Sequence, residues 1–429
     1  MCSDVVIQNV RLIDPQARTD RPGALWVREG RIEAIAERAP PGVPEGAHVI
    51  DGKGAVLIPG LVDLRANLGE PGFEYRETIA SAAEAAAAGG ITTLAALPDT
   101  NPAIDDPALV HFLQARGEEI GSLSILPYGA LTKGCAGEEM AELGLLREAG
   151  AVAFTDGRAA IANSRMMRLA LSYCRGIGGI VVQHAEDKSL AGRGVATEGE
   201  QATRLGLPGI PACAEAIAVA RDLRLAQLTS GRIHFAHIST AEALDLIRDA
   251  KARDIQVTCD TAPPYFDLNE TAIGAWRSYA RLSPPLRQES DREAVAADLA
   301  DGTIDAIVSD HQPLDADDTS LPFAQASPGG TGLATLLVLT LAQVHAGNLA
   351  LIDAVALLTS RPAAIFGLGA GTLSIGAPAD LCLFDLERAW QIRAGELPGK
   401  AQNTPFDGRA VEGRVLATFK NGRQVFTHK

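Results

Sequence analysis

The stretch "AVLIPGLVDLRANLGEPG", residues 55–72, decides the fold, because an apolar run turns directly into a polar loop. The run has the composition of a buried strand. Parallel α/β proteins place their chemistry where such strands end. Here Asp63 is followed, at alternating positions, by Arg65, Asn67 and Gly69. The stretch therefore predicts a site at the end of a first strand, in which an arginine and an amide stand at two of the positions.

Alternation of apolar runs with helical segments continues outward from this stretch. The intervening segments are rich in Ala and Glu, as in residues 77–88 and 241–252. Eight such strands predict an α/β fold with a TIM-like (β/α)8 barrel. A doubly wound sheet is the competing interpretation, but the Gly-rich stretch 367–372 follows a helical segment rather than a strand. The candidate strands are 61–66, 91–97, 123–129, 151–156, 180–185, 233–238, 255–260 and 304–310.

The two ends of the chain differ from the middle, because both contain short β-type stretches. "KNGR" in the last stretch is a hairpin signal. We expect the ends to form one small β-sandwich, from residues 1–54 and 350–429, beside a barrel of residues 55–349. The terminal β-type stretches are 5–14, 24–36, 379–387 and 413–426.

Composition limits the classes of function. The chain has 429 residues and a net charge of −15, which argues against nucleic-acid partners and anionic membranes. Six cysteines without paired spacing indicate reduced thiols rather than disulfides or a zinc ribbon. The first residues lack the apolar run of a signal peptide, and no stretch approaches the ~20 apolar residues of a membrane span. We therefore expect a soluble cytoplasmic protein.

Six motifs, in order along the chain, carry a resemblance to a known family. "DLRANLGEPG" (63–72) resembles D-x-H-x-H-x-R-E-P-G of class I dihydroorotases, which belong to the amidohydrolase superfamily. The resemblance covers nearly the whole chain, and its order makes it specific. The other five are "LPDTNPAID" (97–105), "GLPGIPACAE" (206–215), "SPPLRQESDREA" (283–294), "DGTIDAIVSDHQP" (301–313) and "NTPFDG" (403–408).

The resemblance implies a metallo-dependent hydrolase barrel and a chemistry. The family cyclises N-carbamoyl-aspartate reversibly to dihydroorotate, in pyrimidine biosynthesis, on two zinc ions. Zinc lowers the pKa of bound water towards ~7 and so supplies hydroxide at neutral pH. By resemblance Asp156 stands at the bridging carboxylate, His184 and His237 at the ligands of strands 5 and 6, and Asp310 at the strand-8 ligand and general acid/base.

Other positions depart from the family pattern. Both strand-1 histidines are replaced, by Arg65 and Asn67, and an arginine stays protonated and repels a cation. Gly69 stands where the family arginine holds the substrate carboxylate. Asp99 replaces the asparagine that shares this carboxylate, which we expect to add repulsion. The remaining degenerate positions are Ser283, in place of a substrate-site asparagine, and Leu314, in place of a histidine.

Together these changes favour a catalytically inactive dihydroorotase-like protein. The resemblance implies aspartate carbamoyltransferase as its structural partner, and the Ala-rich helices favour a homo-oligomer. We hypothesise that Arg65 lies in the space of the first zinc and neutralises Asp63, Asp156 and Asp310.

The alternative is an enzyme. Asp156, His184, His237 and Asp310 would then hold one Zn(II), in a single-metal cyclic amidohydrolase acting on dihydroorotate or on a related ureide or amide. The expected cofactor is accordingly none or at most one Zn(II). A true dihydroorotase with displaced ligands is disfavoured, because the chain has no other H-x-H.

Overall fold

The computed structural model describes residues 4–38 and 42–428, so Cys2 lies outside the described residues. The strands are β1 Val5–Asp14, β2 Thr19–Arg28, β3 Arg31–Ala36, β4 His48–Asp51, β5 Val56–Pro59, β6 Leu61–Ala66, β7 Ile91–Ala96, β8 Ser124–Pro127, β9 Gly129–Ala130, β10 Phe154–Thr155, β11 Val181–His184, β12 Ala196–Thr197, β13 Gly209–Ile210, β14 Ile233–Ala236, β15 Val257–Thr261, β16 Ala306–Ile307, β17 Leu381–Gln391, β18 Ala410–Lys420 and β19 Arg423–Thr427. The α-helices are α1 Ile79–Ala88, α2 Pro107–Ile120, α3 Leu143–Glu148, α4 Ser164–Gly176, α5 Lys188–Ala191, α6 Glu200–Leu205, α7 Cys213–Thr229, α8 Ala241–Ala252, α9 Pro263–Asp267, α10 Glu289–Asp301, α11 Ala316–Ser320, α12 Leu336–His345, α13 Leu351–Leu358 and α14 Ser360–Phe366.

The middle of the chain forms the predicted barrel. Strands β6, β7 and β8 pair in parallel, and β9, β10, β11, β14, β15 and β16 form a second parallel run. Tyr128 separates β8 from β9, and a parallel bridge from Ala66 to His311 joins the first strand to the last. Each predicted strand stretch contains or overlaps at least one of these strands, so the (β/α)8 prediction is confirmed.

The chain ends meet in one sheet, as predicted. Its order is β19-β18-β17-β5-β1-β2-β3, with β4 also paired to β1. The turn between β18 and β19 is Asn421-Gly422, and both residues have positive φ, which matches the right-handed twist of a hairpin. Fully buried Ile7, Leu25 and Leu57 form part of the apolar core of this sheet.

Two sets of contacts cross the predicted domain limits. β5 lies after residue 54, yet it pairs with β1 and with β17 of the terminal sheet. Helices α13 and α14 lie after residue 349, yet they pack against the barrel strands β6 and β16. The division at residues 54 and 349 stays a prediction. By these contacts β5 belongs with the terminal sheet, and α13 and α14 belong with the barrel.

Helix α1 joins the barrel to the terminal sheet. It begins at Thr78, whose hydroxyl accepts the N–H of Ser81 at 3.1 Å in a capping box. Most of the helix is alanine, which lets the sheet approach closely, and Thr418 Oγ1 donates to the carbonyl of Ala87 at 2.6 Å. This contact fixes the sheet beside α1 and the start of the second barrel strand, β7.

Two further expectations concern the whole chain. Within residues 4–38 and 42–428, no helix combines the length and the apolar character needed to cross a membrane. The five described cysteines are free thiols. Cys174, Cys259 and Cys382 are buried, and Cys135 and Cys213 are partly exposed.

Candidate active site at the barrel mouth

The predicted site residues lie at the carboxyl ends of the barrel strands. Arg65 lies on β6, Asp156 follows β10, His184 ends β11, His237 follows β14 and Asp310 follows β16. Because parallel strands end at the same rim, these side chains converge. Hydrogen bonds connect Arg65, Asp310, His237 and His184 in that order, whereas Asp156 has other partners.

Arg65 is the centre of this chain of contacts. It is only 1% exposed, and its Nε donates to Asp310 Oδ1 at 2.8 Å, while an Nη2 hydrogen points to the carbonyl of Gly157 at 3.3 Å. Burial alone would lower the pKa of Arg65, but the negative charges of Asp310, Asp260 and Asp99 raise it. Arg65 is therefore a fixed, buried positive charge.

The two histidines continue the chain. His237 Nδ1 lies 3.0 Å from Asp310 Oδ2, and His237 Nε2 lies 2.8 Å from His184 Nδ1. Burial, followed by the charges of His237 and Arg65, lowers the pKa of His184 well below its usual value. His184 is therefore a neutral imidazole at pH 7. Asp310 also has a lowered pKa, because His237 and Arg65 outweigh the effect of its burial.

Backbone strain accompanies these contacts. His237 and Asp310 have φ values of 42° and 46°, in the left-handed region that side chains other than glycine rarely adopt. Such a conformation costs of order 1 kcal/mol and persists only where surrounding contacts enforce it. Asp260 supplies such a contact, because its Oδ1 accepts the N–H of His237 at 2.6 Å.

Asp63 and Asp156 are not neutralised by the Arg65 guanidinium, which corrects one part of the hypothesis. The amide of Ser309 donates to Asp63 Oδ1 at 3.0 Å, and burial raises the pKa of Asp63 to about 6 despite this bond. Asp156 accepts from the amide of Thr132 at 2.8 Å and also from its hydroxyl. Burial likewise raises the pKa of Asp156. Backbone and hydroxyl donors therefore satisfy both oxygens of Asp156, whereas Asp63 Oδ2 has no hydrogen-bond partner among the described residues.

The loop after β6 has a conformation of its own. Asn67 Oδ1 accepts the N–H of Gly69 at 2.9 Å, so the amide that replaces a histidine closes a local turn. Gly69 has a φ of +73°, and a Cβ there would overlap the carbonyl oxygen of Glu77. In this conformation position 69 accepts no side chain, so the substrate-binding arginine of the family has no equivalent here.

Of the other degenerate positions, two have individual explanations. Asp99 forms an ion pair with Arg158, with 2.7 Å between Oδ2 and Nε. Its negative charge is therefore compensated, whereas the sequence led us to expect that it would only add repulsion. Leu314 is 4% exposed, and its N–H donates to Asn403 of the "NTPFDG" motif at 3.1 Å. Ser283 is partly exposed and precedes Pro284. Asp99 and Leu314 thus each have a polar partner, whereas the serine at position 283 has no structural explanation.

Sequence reasoning missed several buried polar residues. Asp260 ends the predicted strand 255–260 and accepts from His234 Nε2 at 2.8 Å. Glu215 accepts from the amides and hydroxyls of Ser239 and Thr240, on the loop that follows His237. The strand-end position of Asp260 was a usable signal, and so was the place of Glu215 as the last residue of the motif "GLPGIPACAE" (206–215).

The donor set does not fit a paired-zinc centre. Protein partners occupy both oxygens of Asp310 and of Asp156, and both ring nitrogens of His237. Among the described residues, no three His, Cys, Asp or Glu side chains are arranged to hold a metal ion. A guanidinium in contact with Asp310 adds electrostatic repulsion against any cation there. We therefore derive no reaction step through zinc.

Comparison with solved structures gives the class of protein. L-Hydantoinase (dihydropyrimidinase) from Arthrobacter aurescens superposes with a TM-score of 0.87, at 25% identity, over 100% of this chain and 96% of that one. Dihydropyrimidinase from Brevibacillus agri NCHU1002 shares the fold, with a TM-score of 0.82 at 21% identity, over 99% of this chain and 95% of that one. The fold and the strand-end residues thus define an amidohydrolase-type barrel.

Sequence comparison narrows the class. The model of the family described as "Dihydro-orotase-like" matches residues 54–243. Proteins named dihydroorotase from Pelobacter propionicus and Citrifermentans bemidjiense are 44% and 42% identical over 423 residues, 99% of each chain. The chain belongs to the dihydroorotase-like family.

Proposed function

We propose that this chain is a catalytically inactive dihydroorotase-like protein of pyrimidine biosynthesis and a structural partner of aspartate carbamoyltransferase. Family membership supports the pathway, since the relatives at 44% and 42% identity are named dihydroorotase. The contact between Arg65 Nε and Asp310 Oδ1, at 2.8 Å, carries the proposal of inactivity.

The physical argument concerns the cost of undoing that contact. To bind zinc, Asp310 would have to give up a buried ion pair, with side-chain exposures of 2% and 12% for Arg65 and Asp310. Separating a buried pair costs roughly 3–5 kcal/mol, because an uncompensated charge remains. Arg65 cannot leave as a neutral group at any useful pH. The site therefore has the permanent charge of a guanidinium in place of the exchangeable zinc ion on which the family chemistry depends.

A second candidate function has one observation in its favour. His237 lies 2.8 Å from His184 and 3.0 Å from Asp310, so three of the four candidate donors of a single-metal site are already linked by contacts. A cyclic amidohydrolase with one zinc would need Asp156 to exchange its Thr132 partners for the metal. An activity assay with and without zinc distinguishes this enzyme from the inactive protein.

The activity test measures both directions of the family reaction. Purified protein, with and without added zinc, is given dihydroorotate in one assay and N-carbamoyl-aspartate in the other. We expect conversion at the uncatalysed rate in all four conditions. Conversion that depends on zinc and disappears in a His237→Ala variant would replace this proposal with the single-metal enzyme.

The partner test uses aspartate carbamoyltransferase from the same source. We expect the two purified proteins to co-elute from a sizing column as a complex larger than either alone, and this chain alone to elute as a homo-oligomer. Separate elution at concentrations well above those of the cell would contradict the partnership while leaving the question of activity untouched.

A further inference from the structure

A cavity of about 370 Å³ lies between helix α12 and the ends of β17, β18 and β19. None of its lining residues belongs to the barrel mouth. Buried Leu337, Val338 and Val415 form its floor, and partly exposed Trp390 and Phe426 form its aromatic walls. Small-molecule sites have this size, lie at boundaries between structural units and are mostly apolar with a few polar groups.

The aromatic wall is held rigidly. Trp390 Nε1 donates to the carbonyl of Gly413 at 2.7 Å, which fixes the indole ring. The guanidinium carbon of Arg414 lies 3.8 Å from the centre of that ring, in a cation–π stack. A guanidinium held over a ring face keeps its N–H donors in its own plane, where they stay free for hydrogen bonds, so the contact with Trp390 positions Arg414 before any ligand arrives.

Positive charge at this cavity is only partly matched by carboxylates, because Glu396 on the lining pairs with Arg393 and only its charge reaches Arg414. Within the described residues Arg414 has no carboxylate within 4.0 Å, and the same holds for Arg388. Burial and nearby Arg388 lower the pKa of Arg414, and burial together with Arg414 and Arg388 lowers the pKa of His428. Arg393, also on the lining, pairs with Glu396. In a chain of net charge −15, such a local excess of cations is complementary to an anion.

We propose that this cavity binds a small organic anion with a flat apolar body, whose carboxylate, sulfonate or phosphate pairs with Arg414 and whose ring packs against Trp390 and Phe426. The apolar floor contributes affinity, and the guanidinium contributes selectivity for charge. The proposal is independent of whether the barrel mouth is catalytic.

A matched pair of fluorescent dyes tests the proposal. Anilinonaphthalene sulfonate is a flat aromatic anion, and N-phenyl-naphthylamine is the same ring system without the sulfonate. We expect the anion to bind the intact protein at one site per chain, at least about tenfold more tightly than the neutral dye, because only the anion forms a charged hydrogen bond with Arg414. Arg414→Gln should remove this preference, and Trp390→Leu should weaken the binding of both dyes.

Arg165→Gln, an exposed change on α4, is the control and should alter neither affinity. Unchanged circular dichroism of each variant shows that it has folded. Equal affinity for the two dyes, or an anion preference that survives Arg414→Gln, would overturn the proposal. So would a dimer on a sizing column that Arg414→Gln dissociates, because the cavity would then be a contact between two copies.

Discussion

At the scale of single residues, Arg65 decides the chemistry of the barrel mouth. A zinc ion supplies exchangeable positive charge and a bound water, whereas a guanidinium supplies only permanent charge and donors. Asp310 and His237, which contact each other in this site, both have a left-handed backbone conformation. The replacement was visible in the sequence, but its geometry was not, because sequence cannot tell a buried arginine from one that points into solvent.

Replacement of Arg65 by methionine should leave Asp310 buried without its cation. We expect the free energy of unfolding to fall by roughly 3–5 kcal/mol, as for other broken buried pairs. Arg11→Met is the matched control, because it breaks the more exposed pair with Asp20 and should cost at most about 1 kcal/mol. Urea denaturation at pH 7 measures both, and equal losses would show that Arg65 is not held as described.

Asp63 predicts a pH dependence of known sign. Its pKa is about 6 in the folded protein, above the value of about 4 in an unfolded chain. The folded state therefore binds the proton more tightly, and this contribution to stability, complete below about pH 4, is lost as the pH rises through about 6. Asp63→Asn stays neutral, so it should gain up to about 3 kcal/mol relative to the natural protein between pH 4 and pH 7.

Urea denaturation across that range measures the effect. Asp20→Asn is a useful control of opposite sign, because its bond to Arg11 lowers the pKa of Asp20 and its contribution is lost as the pH falls. A difference between Asp63→Asn and the natural protein that does not change with pH would contradict the assignment.

At the scale of elements, the loop from Asn67 to Gly72 shows what sequence patterns miss. The eight strand stretches were predictable from their apolar runs, because the strands in them are mostly buried and pair in parallel. The turn closed by Asn67 depends on local backbone torsions. The bond between the Thr132 hydroxyl and Asp156 joins residues that are 24 positions apart in the chain. Such contacts leave no periodic signal in the sequence.

Gly69 should be intolerant of any side chain. We expect Gly69→Ala to lower the free energy of unfolding by more than Gly134→Ala does, by roughly 1–3 kcal/mol, because both glycines have positive φ but only the first would meet backbone. Thermal denaturation of the two variants compares them directly. Similar melting temperatures would mean that the loop adopts another conformation.

At the scale of the whole molecule, the terminal sheet and the barrel form a continuous structure. β5 ends at Pro59 and β6 begins at Leu61, so one stretch of chain leaves the sheet and enters the barrel. The alternating apolar runs predicted the barrel, and the β-type stretches at the chain ends predicted the terminal sheet. The limits at residues 54 and 349 could not anticipate this pairing, since a short apolar run has the same composition in either part.

Leu57→Ala should therefore destabilise the protein through the sheet. Leu57 is fully buried, and such a truncation costs about 2–5 kcal/mol. Val49→Ala in β4 is the control, because Val49 is 52% exposed and should change stability little. Tryptophan fluorescence during urea denaturation follows both, and equal midpoints for the two variants would contradict the packing described here.

The most direct test of the central claim is the zinc content of the purified protein after exposure to zinc and dialysis, measured by mass spectrometry. Since Arg65 and its partners occupy the donors of the barrel mouth, we predict no stoichiometric zinc. One or more zinc ions per chain, lost on replacement of His237 by alanine, would contradict the claim.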